Sequence, residues 1–183
     1  EFANNLIRKV TYSTGIISTY AGYCPAGSAD NAEATVGTFN GPLGVFLRPL
    51  TNDLYIGEYN GCRVRKVSGS TGTLSTVAGN GVCNFSGEDG PATAAALGYT
   101  TGVWVSEPTG NVYFGDRSNQ RVRVIHEFNG VIDTIAGLAA YGFNGDGGLA
   151  TSTWFYDVND VKGHWADDES LLHVSDANIN RIR

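Results

Sequence analysis

Gln120-Arg-Val-Arg-Val-Ile125, followed by Asn129-Gly-Val-Ile-Asp-Thr-Ile-Ala-Gly137, is the stretch whose reading decides the fold. Each run is short and rich in β-branched residues, and the Asn-Gly between them favours a tight hairpin turn. Both runs recur. Asn5-Leu-Ile-Arg-Lys-Val10, Cys62-Arg-Val-Arg-Lys-Val67 and Asn180-Arg-Ile-Arg183 repeat the first, so that successive copies lie 57, 58 and 60 residues apart. Thr14-Gly-Ile-Ile-Ser-Thr-Tyr-Ala-Gly22 and Thr71-Gly-Thr-Leu-Ser-Thr-Val-Ala-Gly79 repeat the second. A fixed period of this length marks a repeat architecture.

A further pair of runs separates these. Leu43-Gly-Val-Phe-Leu47 matches Thr101-Gly-Val-Trp-Val105, and Asp53-Leu-Tyr-Ile-Gly-Glu58 matches Asn111-Val-Tyr-Phe-Gly-Asp116. In the last copy the equivalents are Asp160-Val161 and Ser170-Leu-Leu-His-Val-Ser-Asp176, and Lys162-Gly163-His164 replaces apolar strand residues. One unit therefore predicts four short strands: A (Gly102–Val105), B (Val112–Gly115), C (Arg121–Ile125) and D (Val131–Ala136). Four successive antiparallel strands make a propeller blade, and each blade buries its faces on its neighbours. The expected fold is all-β: about three blades of four antiparallel strands, an incomplete ring or part of a larger array. The units run roughly 1–57, 58–115 and 116–175, with a partial unit at 176–183. The repeat starts and stops inside a blade with no polar cap at either end, which predicts a piece of a longer or polymeric array.

Composition narrows the function classes. The chain has 183 residues, 42% hydrophobic, which argues against disorder, and its net charge is −6, which argues against a nucleic-acid partner. No apolar run approaches the ~20 residues of a membrane-spanning helix. The start, Glu1-Phe2-Ala3-Asn4, already belongs to the repeat and reads as neither signal peptide nor cloning remnant.

Asp89–Thr93, Gly102–Val105, Gly110–Asp116, Asn119–Ile125 and Gly130–Gly137 together resemble the NHL repeat. The resemblance covers essentially the whole chain and is most specific in the middle unit. It implies a propeller usually of six blades, about twice the residues present here. Some NHL-repeat proteins bind RNA, and the related amidating lyase uses zinc and calcium. No His and Tyr set for such a metal site maps onto His126, His164 and His173, and no nucleophile elbow or phosphate loop occurs. No catalytic, cofactor or metal residue is therefore assigned.

Several residues still stand out. Glu58 with Arg63, Asp116 with Arg121 and Asp176 with Arg181 flank the turn between strands B and C, and a carboxylate there can clamp a guanidinium. They are expected to be structural turn clamps, and Glu1, facing Leu6, breaks the pattern in the first copy. Arg63/Arg65 and Arg121/Arg123 alternate along strand C and share a face, the alternative being an RNA-binding surface. The loops Gly87-Glu-Asp-Gly90 and Asn144-Gly-Asp-Gly-Gly148 lack a calcium-loop pattern and are expected to carry the chain from an outer strand D to an inner strand A; calcium is the alternative.

There are three cysteines. Cys24 and Cys83 follow the Ala-Gly that ends strand D, and Cys62 lies in the B–C turn, at the same edge of a blade. The candidate disulfides are Cys62–Cys83, preferred because both lie in one blade, and Cys24–Cys62. A disulfide implies an oxidising, extracellular setting. Asn84-Phe85-Ser86 is a glycosylation sequon in an interblade loop. The leading expectation is a non-enzymatic, secreted or cell-surface propeller module that binds proteins, whether other partners, adjoining repeats or copies of itself. The rivals are part of a six-bladed metal-dependent lyase or hydrolase, and an intracellular adaptor propeller.

Overall fold

The computed structural model describes residues 1–30, 32–164 and 171–183. The chain folds into short antiparallel strands. β1 (Ile7–Thr11) pairs with β2 (Ile16–Ala21). β3 (Pro42–Leu47), β4 (Leu54–Glu58), β5 (Arg63–Val67) and β6 (Leu74–Ala78) form one complete blade in sequence order. β7 (Gly90–Pro91) comes next, followed by β8 (Thr100–Val105), β9 (Val112–Asp116), β10 (Arg121–Ile125) and β11 (Val131–Ala136), which form the second complete blade. The last sheet holds β12 (Val158–Gly163), β13 (Leu172–Asp176) and β14 (Arg181–Ile182). By position in the repeat, β1 and β2 are C and D strands, and β12, β13 and β14 are A, B and C strands.

The predicted bounds of the middle blade hold to within two residues: strand A begins at Thr100 and strand B runs on to Asp116. Ser170, named with the last B strand, lies outside the described residues. β7 was not foreseen. The loop arriving from the preceding blade lays Gly90 and Pro91 against Ile132 and Val131 before it turns inward. It thereby covers part of an outer edge that would otherwise present unpaired backbone groups.

Blades stack face to face through three apolar clusters. Phe39, Ile56 and Leu74 centre the first; Leu97, Val103 and Phe114 the second; Phe155, Val158 and Val174 the third. Phe39, Leu97 and Phe155 occupy equivalent places just before strand A, each almost fully buried. Every residue of β4 is buried, because a B strand is covered on both faces by neighbouring blades, and its run of apolar residues follows from that. The A strands pack closely. A Cβ on Gly57, or on Gly44, would run into the Thr101 carbonyl oxygen of the next blade.

The two ends of the blades differ. One carries the A–B and C–D turns. The other carries the B–C turns and the loops that pass from one blade to the next, and the residues of interest gather there. Each B–C turn ends on a residue in the left-handed region: Asn5, Cys62, Gln120 and Asn180.

Candidate functional site

The acid at the end of each B strand ties together the entry to strand A and the start of strand C. Asp116 accepts the Gly98 N–H at 2.6 Å and the Asn119 side-chain amide at 2.8 Å. Glu58 accepts the Asn40 N–H, and Asp176 accepts the N–H groups of Tyr156 and Asp157. The guanidinium partner differs from the one expected. Arg63, Arg121 and Arg181 sit directly opposite their acids in the strand register, yet Glu58 bonds Arg65 at 3.1 Å and Asp116 bonds Arg123 at 3.4 Å. The right-handed twist of the strand pair brings the diagonal neighbour over the carboxylate. On this seven-residue spacing the first copy conforms as well, since Glu1 bonds Arg8 at 3.4 Å.

The displaced arginines have other work. Arg63 donates to the carbonyls of Gly61 and Asn80. Arg121 lies over the Phe85 ring at 3.8 Å, and Arg181 over Phe143 at 4.0 Å. Arg181 also approaches Asp146, at 3.8 Å, in place of Asp176.

The second arginine of each strand C also pins the incoming interblade loop. Arg65 binds the Ala29 carbonyl and Asp30, Arg123 binds the Gly87 carbonyl and Glu88, and Arg183 binds the Gly145 carbonyl and Asp146. In the two loops read as calcium candidates, Glu88 and Asp146 therefore face guanidinium groups, while Asp89 lies against Asp133. Among the described residues no cluster of three or more metal-ligating side chains occurs. Of the alternating arginines, Arg65 and Arg123 are fully buried, and Arg63 and Arg121 are half-buried.

Burial pushes the Glu58 carboxyl up to about 7, against the opposing pull of Arg65, the Asn40 N–H and Arg63. Burial likewise raises Asp116, although Asn119, Gly98 and Arg123 all favour its charged form.

Cys62 and Cys83 form a disulfide, joining the B–C turn of one blade to the loop that leaves it. Cys24 is free and exposed. Asn84 is exposed beside that bridge, and its backbone carbonyl accepts a hydrogen bond from the Asn119 amide at 3.0 Å.

One cluster at this end escaped the sequence reading. The residue after each B-strand acid is Phe2, Tyr59, Arg117 or Ala177, and the residue leading into each strand A is Gly41, Tyr99 or Asp157. Within a blade the first type donates its N–H to the carbonyl of the second: Tyr59 to Gly41, Arg117 to Tyr99, Ala177 to Asp157. Between blades their side chains meet. Tyr59 stacks on Tyr99 at 4.5 Å and takes the edge of Phe2 at 6.0 Å. Arg117 forms a two-pronged ion pair with Asp157, one prong 2.7 Å, and reaches the Tyr59 hydroxyl at 3.3 Å. Asn178 donates to the same Asp157 carboxylate. Tyr141 and Tyr156 meet edge to face alongside, at 5.8 Å. Tyr99, Tyr141 and Tyr156 remain 40%, 63% and 46% exposed. The only sequence signal was positional, since the residue types change from copy to copy.

Strand order, blade stacking and repeat together define the class: the chain is all-β and forms a partial β-propeller. Solved structures of propellers are similar to it. A protein of unknown function from Bacteroides thetaiotaomicron matches 98% of this chain and 41% of its own, with a TM-score of 0.74 at 18% identity. An auxiliary nutrient binding protein from Bacteroides ovatus matches 100% of this chain and 43% of its own, with a TM-score of 0.69 at 18% identity. Virginiamycin B lyase from Staphylococcus aureus matches 100% and 45%, with a TM-score of 0.55 at 18% identity. The chain thus spans less than half the length of these propellers, and the likeness concerns the fold alone. No protein-family model matches the sequence, and no curated protein does.

Proposed function

We propose that the chain is part of a secreted, non-enzymatic propeller that binds partner proteins on its tyrosine-lined end. The observation that carries this is the half-exposed cluster of Tyr59, Tyr99, Tyr141, Tyr156 and Arg117, held in place by ring stacking and by the Arg117–Asp157 pair. Tyrosine and arginine are enriched among the residues that dominate protein interfaces, and tyrosine adds a large contact area and a polar tip at low entropic cost. Groups already fixed before binding lose less freedom on association. The carboxylates and arginines that recur through the repeat support the same reading, being committed to bonds between turns and loops. The Cys62–Cys83 bridge at this end supports an extracellular setting, and a glycan on Asn84 would accord with it.

The test is cross-linking of the full-length protein, secreted from eukaryotic cells, to its neighbours in the medium, including further copies of itself. Cross-links should concentrate around Tyr59, Tyr99 and Tyr156, and should vanish in a Tyr99→Ala/Tyr156→Ala double variant. Phe128→Ala, at a fully exposed position on the opposite end, should leave them intact. Cross-links that survive the double variant, or free thiols at Cys62 and Cys83 in the secreted protein, would contradict the reading.

A further inference from the structure

We infer that the tyrosine-lined end takes an extended, proline-rich segment of its partner in the polyproline II conformation. This rests on the protein-binding reading above and names the partner's chemistry.

Two hollows lie on either side of the Tyr59–Arg117 pair. One, of about 210 Å³, is lined by Tyr59, Tyr99, Tyr141, Tyr156 and Asp157 among others. The second, of about 240 Å³, is lined by Phe2, Leu43, Tyr59 and Arg117. Tyr59 and Arg117 line both and form the ridge between them. Two aromatic-walled slots divided by a ridge suit a ligand that offers compact apolar rings at regular intervals along a stiff chain. A polyproline II segment does this, with three residues per turn and little freedom left to lose on binding.

The charge balance points the same way. The Arg117 guanidinium is committed to Asp157 and to the Tyr59 hydroxyl, and Asp157 is further held by Asn178. The floor of the groove is thus neutralised within itself, which favours an uncharged ligand over a phosphate or carboxylate. A saccharide would call on just those carboxylate, guanidinium and amide groups to grip its hydroxyls, and they are already bonded to one another. The hydroxyls of Tyr99, Tyr141 and Tyr156 make no hydrogen bond within the described residues. Their natural acceptors are backbone carbonyls, which a polyproline II segment leaves unpaired.

The test titrates fluorescein-labelled decaproline into the full-length, disulfide-bonded protein, beside a Gly-Ser peptide of equal length and cellohexaose. Decaproline should bind saturably and about tenfold or more tighter than the Gly-Ser peptide. Tyr99→Ala and Tyr156→Ala should each weaken it by about tenfold. Tyr141→Ala, at the most exposed of the three rings, should do the same with thermal unfolding unchanged, so the test does not depend on a variant that folds poorly. Decaproline binding no tighter than the Gly-Ser peptide would overturn the proposal. So would cellohexaose binding that Tyr99→Ala abolishes, which would assign the groove to a saccharide. Loss of decaproline binding with partner cross-links retained at this end would refute the proline-rich partner alone. Loss of both would remove the protein-binding reading as well.

Discussion

Glu58 shows how a single residue couples the blades to pH. Its carboxyl is fully buried on Arg65, and burial outweighs the neighbouring guanidinium and N–H groups, lifting it from 4.5 in an unfolded chain to about 7. The folded protein therefore holds this proton more tightly than the unfolded chain does. The stability linked to it is fully present below about 4.5 and is lost as pH rises through about 7. The span corresponds to about 3 kcal/mol. Urea midpoints should fall between pH 5 and pH 8, and Glu58→Gln should flatten that decline. An unchanged slope in the variant would refute the assignment. Asp116, raised by the same cause, contributes a pH dependence of the same sign.

The same residues show where sequence reasoning stops. That acids and arginines meet at the B–C turn was legible from their spacing. Which arginine meets which acid was not, because register alone points to the opposite residue whereas strand twist selects the diagonal one. The loop acids Asp30, Glu88 and Asp146 recur at a fixed spacing, but only the folded loop shows them lying on strand C. The tyrosine cluster was harder still. Phe2, Tyr59 and Arg117 fill one place in the repeat, and Gly41, Tyr99 and Asp157 fill another. A search for repeated residue types passes over places whose chemistry changes from copy to copy.

At the scale of the element, the strands of the middle blade were legible almost to the residue, since alternation and turn dipeptides are local signals. The outer strand β7 was not, because two residues carry no periodicity and pair only through tertiary placement. Blade spacing makes its own prediction. A Cβ at Gly57 would strike the Thr101 carbonyl of the neighbouring blade, where backbone cannot swing aside as a side chain could. Gly57→Ala should cost about 2 kcal/mol through forced separation of the two blades. Thermal unfolding should then drop by about 5 °C, and an unchanged midpoint would show that the blades are less closely packed.

The disulfide acts on the same scale. It closes a loop with a sequence separation of 21 that contains strands β5 and β6. Removing it with Cys62→Ser/Cys83→Ser should lower stability by about 3 kcal/mol, mainly by freeing the unfolded chain. Calorimetry of the oxidised protein and the double variant checks this; equal midpoints would mean that the bridge holds nothing the blades do not already hold.

For the molecule as a whole, propeller geometry explains why the polar features of the repeat are structural and why the surface cluster lies where it does. The acid–arginine pairs and loop anchors recur because every blade must hold the same turn and receive the same loop. Adjacent B–C turns then bring Phe2, Tyr59 and Arg117, one from each of the first three blades, beside one another. Stacking order was legible from the repeat, since a blade cannot bury its faces alone. The tyrosine-lined surface was not, because it is assembled from three successive units. The most direct test is a single-particle reconstruction of the full-length protein. The account predicts blades packed through Phe39, Leu97 and Phe155, with the A strands lining a common channel and Tyr59, Tyr99 and Tyr156 exposed together at one end. Sheets laid side by side without a shared channel, with those three tyrosines apart, would contradict it.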